Sequence, residues 1–423
     1  MKEEKSYICI DLKSFYASVE CAERGLDPFR INLVVADPDR SKSTICLAIT
    51  PAMKQAGVKN RCRIHEIPSD IPYIVAKPRM QLYLEYSARI YAIYLRYVAP
   101  EDIHVYSVDE CFLDVTDYLK LYHMTAEEMA AALMGEVKKE TGITATAGVG
   151  SNLYLAKIAM DIIAKHTKQC IGTLTECSYR KMLWSHRPLS DFWQIGRRTE
   201  RKLAQYGIYT MGDIAKMSLD SEDWLYRLFG IDAELLIDHA WGVEPCRMQD
   251  IKNYHPTEHS LSNGQVLMRN YSFEEALVVV KEMADMLALD LTDKKLVTDS
   301  VTLHISYDHR FGRSETGGTV KLKTQSNSSG LIIRHVEQLY QATTDIHTGI
   351  RRINITANRV CPESFLQYDL FTNPVKTEKE QEIQQMVLSI KKRFGKNAIL
   401  RGVNLLPCAT TVTRNQQIGG HHA

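Results

Sequence analysis

One stretch constrains the fold of this chain more than any other: His104 to Val115, H-V-Y-S-V-D-E-C-F-L-D-V. Val105, Tyr106 and Val108 before Asp109-Glu110, and Phe112, Leu113 and Val115 after it, predict two strands meeting at a tight bend. Adjacent carboxylates raise each other's pKa unless a cation lies between them. Taken alone, the pair also reads as the solvated tip of a hairpin, a place that suits acidic side chains. A further acid changes the weighing. Residues 6 to 11, S-Y-I-C-I-D, form a short apolar run ending in Asp11, and a helical pattern with Phe15, Tyr16 and Val19 follows. If the two strands are neighbours in one sheet, three carboxylates converge, and oxygen ligands in that number suit a cation such as Mg²⁺. Two such ions roughly 3.5–4 Å apart activate an attacking hydroxyl and stabilise a leaving phosphate oxygen.

I-D-L-K-S-F-Y-A-S-V-E and Y-S-V-D-E-C-F-L-D-V-T together resemble the two palm signatures of the Y-family (translesion) DNA polymerases. T-A-G-V-G-S-N-L-Y-L-A-K-I-A-M-D, Thr146 to Asp161, is similar to the family's next palm segment. Order and spacing agree as well, and the nearest branch in pattern is the UvrX-like, ImpB/MucB/SamB group of bacteria and mobile elements. The resemblance implies an α+β multidomain right hand: a ferredoxin-like palm (1–12 and 81–172), small fingers (13–80), a helical thumb (173–247), a βαββαβ little finger (252–360) and a C-terminal tail (361–423). It also implies DNA-directed DNA polymerase activity on damaged templates, with low fidelity. No segment reads as a separate proofreading domain.

Bulk properties agree with that size and class. A length of 423 residues allows two to four domains. A hydrophobic content of 45% with 24% charged residues is that of a soluble globular protein, expected to act in the cytoplasm. No run approaches the roughly 20 apolar residues of a membrane span, and M-K-E-E-K-S-Y-I does not read as a signal peptide. Ten cysteines occur without a C-x-x-C pair, and Cys9, Cys46 and Cys111 lie in apolar runs, which predicts buried free thiols. A net charge of +1 neither demands nor excludes nucleic acid, so basic residues must gather on one face to bind it.

The resemblance assigns roles residue by residue. Asp11, Asp109 and Glu110 are the expected catalytic acids and metal ligands, with the Leu12 carbonyl as a further ligand, for two Mg²⁺ ions. Phe15 and Tyr16 are expected under the sugar of the incoming dNTP, Tyr16 as the ring that leaves no room for a 2′-hydroxyl; the bare pattern also allows a core aromatic. The family usually has a Tyr and an Arg after the second finger strand, where this chain has Pro51 and Lys54. Lys54 supplies charge but not a bidentate fork. Lys165 matches a lysine that contacts triphosphate, and Lys157 is expected near the primer or the acids; for both, a solvated helix face is the plain alternative.

In F-W-Q-I-G-R-R-T-E-R-K-L-A-Q-Y-G-I a helix-hairpin-helix is expected. Gly196 is expected to permit its tight turn and close approach to DNA phosphate, with charge from Arg197, Arg198, Arg201 and Lys202. Thr125-x-x-Glu128 predicts a capping box opening a helix over 126–141, and Ser272 with Glu275 a second one. Strict alternation of Val301, Leu303 and Ile305 with polar neighbours predicts a sheet with one wet face carrying Lys321, Lys323 and Arg352; the pattern alone also reads as an idle solvated sheet, and the resemblance implies that this face grips primer-template DNA. Gln367-Tyr368-Asp369-Leu370-Phe371 resembles a peptide that docks on the bacterial sliding clamp, with Gln367, Leu370 and Phe371 as its contacts; position alone equally allows Leu370 and Phe371 to pack back on the little finger. A monomer is expected, and the ending I-G-G-H-H-A reads as flexible. Two rivals stand: a nucleotide cyclase on a similar palm, which needs no duplex grip, and a non-catalytic DNA- and clamp-binding protein.

Overall fold

β1 (Tyr7–Leu12) is buried on both sides. Ile8, Ile10 and Leu12 enter one core, while Tyr7 and Cys9 enter another with Phe112, Leu153 and Met160. That double burial is why the strand reads as an unbroken apolar run. The structure, a computed structural model, describes residues 5–39, 44–256, 259–308, 310, 312, 314–363 and 374–423. The chain divides into two units, Met1–Tyr254 and His255–Ala423.

In the first unit, α1 (Phe15–Glu23) follows β1 and leads to a small three-stranded sheet. There β2 (Leu33–Val35) pairs antiparallel with the short β3 (Ala48–Ile49). α2 (Pro51–Gln55) is stopped by Gly57 at φ 87°, and β4 (Ile74–Ala76) runs parallel to β2. α3 (Met80–Tyr94) returns the chain to the large sheet through β5 (Ile103–Val105) and β6 (Glu110–Asp114). After α4 (Thr116–Tyr122), Thr125 and Glu128 form the expected reciprocal cap on α5 (Ala126–Thr141). β7 (Ala145–Gly150), α6 (Leu153–Ile158), a π-helical turn (Ala159–Ile163) and β8 (Ile171–Leu174) complete a five-stranded sheet of order β5-β6-β1-β7-β8. The helix that follows β7 thus continues directly into the π turn.

Helices follow: α7 (Glu176–Leu183), α8 (Arg197–Ala204), α9 (Met211–Phe229), α10 (Asp232–Trp241) and α11 (Met248–Asn253). α11 belongs to this unit, since Met248 is buried beside Tyr7, Cys9 and Phe112 and Lys252 donates to the Pro100 carbonyl at 3.0 Å.

The second unit runs β9 (Leu261–Tyr271), α12 (Phe273–Asp293), β10 (Leu296–Tyr307), β11 (Thr316–Ser326), α13 (Ser329–Thr343) and β12 (Ile350–Asn358). Its sheet order is β11-β10-β12-β9, with the short β13 (Cys361–Pro362) beside β10. Val301, Leu303, Ile305, Ile353 and Ile355 are fully buried against α12 and α13, as the alternation requires.

The ending differs from the flexible tail read from composition. α14 (Pro374–Phe394) is followed by α15 (Thr411–Asn415) and a hairpin of β14 (Gln417–Ile418) with β15 (His421–His422). Gly419 and Gly420, at φ 59° and 80°, supply the left-handed pair that a two-residue hairpin turn requires. The segment is anchored by Glu282 of α12, a buried carboxylate that accepts from Asn404 Nδ2 at 2.9 Å and from the Thr410 N–H at 2.8 Å. Arg401 adds a fork onto Asp285 at 2.7 and 3.0 Å.

Candidate active site and nucleic-acid interface

The β1–β6 register sets Asp11 directly opposite Glu110, which puts both side chains on one face of the sheet. Asp109 is the last residue of the turn: the Leu12 N–H donates to its carbonyl at 2.9 Å, and its carboxylate accepts from Ser107 Oγ at 2.6 Å. The bend closes as Tyr106 and Ser107 N–H groups both donate to the Glu110 carbonyl. Burial, then the charges of Asp109 and Glu110, push the Asp11 carboxyl up to about 7. A carboxyl with neighbours of its own sign is what a hard divalent cation relieves, so the donor set fits Mg²⁺ or Mn²⁺. As the side chains stand, no three His, Cys, Asp or Glu among the described residues form a closed cation cage. Glu110 is instead turned to Lys157, whose Nζ lies 2.8 Å from Glu110 and 3.1 Å from Asp161.

The expected nucleotide-side residues gather here in part. The Tyr16 ring stacks on Tyr83 at 4.5 Å, and its hydroxyl titrates above the usual range because of burial and the Asp109 charge. Phe15 is only 2% exposed, so its ring is committed to the core. Lys54 lies on the surface of α2, yet enough protein surrounds its ammonium to hold its pKa below the lysine value; the charges acting on it are Asp11, which opposes that shift, and Lys165, which adds to it. Lys165 itself is exposed, in a 3₁₀ turn after the π turn. Pro51 occupies the first turn of α2, where its missing N–H costs nothing.

Sequence reasoning gave no role to Asp161, and none to Arg61, an exposed residue at φ 57° whose charge acts on Tyr16. A signal for Arg61 existed in the basic run K-N-R-C-R. For Asp161 the signal was its place four residues after Lys157, a spacing that puts both on one helix face.

In the helix-hairpin-helix, the left-handed residue is Gln194 at φ 70°, not Gly196, which caps α8 with φ −84°. Gly196 is thus not needed for the turn itself, and a Cβ there meets nothing within 4 Å, so the space outside its backbone is open. Arg197 and Arg198 are exposed, whereas Lys202 is drawn inward, donating to the Leu228 carbonyl and lying over the Phe229 ring at 4.6 Å. Trp193, from the same motif, donates to Tyr106 Oη at 3.2 Å and so ties the motif to the acid-bearing hairpin.

On the second unit, Lys321 lies opposite Ser300 and Arg352 opposite Ser306. With Lys323 they are exposed and, among the described residues, carry no ion pair. Around them hydroxyls and amides are linked edge to edge, as in Thr302 to Thr319 at 2.7 Å, Ser262 to Thr356 at 2.9 Å and Asn358 to Thr302 at 2.9 Å. Glu315 is the acid beside this face, paired with His304 at 2.9 Å. The expected clamp contacts Gln367, Leu370 and Phe371 lie outside the described residues. No described helix is long and apolar enough to cross a membrane.

The impB/mucB/samB family model matches residues 10–161, and the model of that family's C-terminal domain matches residues 258–370. The putative UV-damage repair protein UvrX of Bacillus subtilis (strain 168) is 32% identical, over 99% of this chain and 97% of that protein. DNA polymerase IV 2 of the same organism is 30% identical over the whole of both chains. Among solved structures, a Y-family DNA polymerase chimera, Dbh-Dpo4(243-245)-Dbh, matches with a TM-score of 0.64 at 20% identity, covering 84% of this chain and 99% of that one. That likeness carries the right-hand α+β architecture of palm, fingers, thumb and little finger. The chain belongs to the impB/mucB/samB family and is a DNA-directed DNA polymerase of the Y family, on its UvrX-like branch.

Proposed function

We propose that this polymerase performs translesion synthesis in the cytoplasm, extending primers across damaged template bases during DNA repair. The single observation that carries the chemistry is the β1–β6 register, with Asp11 facing Glu110 and Asp109 one residue away. Polymerases of this family depend on divalent metal ions. In this reading Asp11, Asp109 and Glu110, with the Leu12 carbonyl, hold two Mg²⁺ ions. When bound, such ions lower the pKa of the primer 3′-hydroxyl and neutralise charge on the departing pyrophosphate. Tyr16, fixed by its stack on Tyr83, excludes a 2′-hydroxyl from the dNTP sugar. Lys54 and Lys165 steady the triphosphate, each as a point charge.

Gly196, Arg197 and Arg198 hold phosphates of the duplex through backbone N–H and guanidinium groups. Lys321, Lys323 and Arg352 do the same from the polar sheet face, without reading sequence. Gln367, Leu370 and Phe371 dock a sliding clamp, two apolar anchors being the usual core of so short a peptide contact. The enzyme works as a monomer and carries no proofreading activity.

Primer extension with Mg²⁺ on undamaged and ultraviolet-damaged templates, with and without a loaded bacterial clamp, tests the reading. Bypass is expected, with clamp stimulation that Leu370→Ala plus Phe371→Ala removes. Extension that always stops at the lesion would overturn the translesion role.

A further inference from the structure

The helix that follows β7 lies unusually close to the sheet, for a reason written in glycine. A Cβ at Gly148 would stand 2.0 Å from the Ala156 carbonyl oxygen, and one at Gly150 2.2 Å from the Ala156 nitrogen. One at Gly172 of β8 would stand 2.5 Å from the Ala159 carbonyl oxygen. Only a surface without side chains admits the helix backbone at that distance. Where the helix crosses β8 it widens into the π turn Ala159–Ile163, and single π turns inside helices concentrate at functional sites.

This packing carries Lys157 and Asp161 down to the acids. Lys157 is 8% exposed, and its Nζ bridges Glu110 Oε1 and Asp161 Oδ2. The same Glu110 oxygen accepts from Cys9 Sγ at 3.2 Å. Among the described residues, no hydrogen bond is formed by the other oxygen, Oε2. Glu110 is therefore held by one oxygen and open at the other, beside Asp11. Surface ion pairs are weakly directional, but a pair this buried fixes geometry, because a misplaced charge has no water to fall back on.

We propose that Lys157 and Asp161 are positioning residues for Glu110, fixing its carboxylate by Oε1, presenting Oε2 to a divalent cation shared with Asp11 and Asp109, and setting how tightly that cation is held. This rests on the proposed role of those three acids. Two opposed effects follow from charge alone. Lys157 repels an incoming cation, so losing its charge tightens cation binding. Asp161 draws part of the Lys157 charge away from Glu110, so losing that carboxylate weakens it.

The test is Mn²⁺ binding to the full chain without nucleotide, read from the paramagnetic resonance of free Mn²⁺ at pH 8.5. Lys157→Met is expected to bind Mn²⁺ roughly three- to tenfold more tightly, and Asp161→Asn more weakly by a similar factor. Single-turnover extension by Lys157→Met is expected to fall about tenfold or more even at saturating Mn²⁺, because Glu110 is no longer fixed. A merely structural pair would move both affinities the same way. A lysine reserved for primer phosphate would leave them alone and weaken DNA binding instead. Either result overturns the proposal, whereas no Mn²⁺ binding by the unaltered chain would overturn the acids' assignment itself. If Lys157→Met does not fold, Asp161→Asn decides: unchanged or tighter Mn²⁺ binding refutes the device.

Discussion

Glu282→Gln tests whether the C-terminal segment is part of the second unit. Glu282 is 3% exposed. One of its oxygens accepts from Asn404 Nδ2 at 2.9 Å and the Thr411 N–H at 3.3 Å, the other from the Thr410 N–H at 2.8 Å and Thr410 Oγ1 at 3.1 Å. An amide of the same size keeps one acceptor and turns the other into a donor facing the Thr410 N–H. That leaves a buried donor unpaired, at about 1–3 kcal/mol, and removes charge assistance worth roughly 1 kcal/mol from the bonds that remain. The sum is about 3 kcal/mol. In a unit of this size each kcal/mol lowers Tm by about 2–4 °C, so unfolding of the second unit should move down by roughly 6–12 °C. Hydrogen exchange on the full chain, followed over α12 and residues 402–415, shows which unit carries the shift. The polar sheet face is opposite α12, so DNA affinity below the transition should not change. A Tm shift under about 2 °C refutes the claim that Glu282 holds the segment down.

Three further outcomes follow from the same geometry. Tyr16→Ala should raise ribonucleotide incorporation relative to deoxyribonucleotide by on the order of 10²-fold or more, each tenfold being about 1.4 kcal/mol of lost exclusion; an unchanged ratio in matched single-nucleotide assays makes Tyr16 a packing residue. Lys321→Ala with Lys323→Ala should weaken primer-template binding alike on all sequences and flatten the log–log salt slope by about 2, measured by fluorescence anisotropy. Arg269 and the Ser272 N–H hold the Glu275 carboxyl down to about 2. Since the folded pKa is the lower one, this contribution is complete above the unfolded value and is lost as pH falls toward 2. Urea unfolding of Arg269→Ala should therefore differ more from the unaltered chain at pH 6 than at pH 3.

What the residues alone disclosed depended on whether a pattern was local. Val301, Leu303 and Ile305 alternate because one face is buried, and Thr125 with Glu128 caps a helix within four residues; both are legible without tertiary knowledge. The meeting of Asp11 with Glu110 was legible only conditionally, since a register one residue off would put them on opposite faces. Other features rest on distant contacts that no spacing encodes. Lys157 and Asp161 share a helix face by their i,i+4 spacing, but their meeting with Glu110 depends on three glycines in two strands. Lys202 reads as charge for DNA but is taken by the Leu228 carbonyl. Gly196 looks like the turn-former, while Gln194 adopts the left-handed backbone. Residues 395–423 are fixed by hydrogen bonding to the buried Glu282 together with the Arg401 fork on Asp285, contacts that no hydrophobic period announces.

The central claim is that Asp11, Asp109 and Glu110 form the reacting site of this polymerase. Its most direct test is single-turnover nucleotide incorporation by Asp109→Ala on a pre-bound primer-template at saturating Mg²⁺, alongside the DNA dissociation constant. A lost metal ligand returns several kcal/mol to the barrier, so the rate should fall by on the order of 10³-fold or more. DNA affinity should stay within about threefold, because the charge removed lies off the phosphate-binding surfaces. Incorporation within about tenfold of the unaltered enzyme would contradict the account.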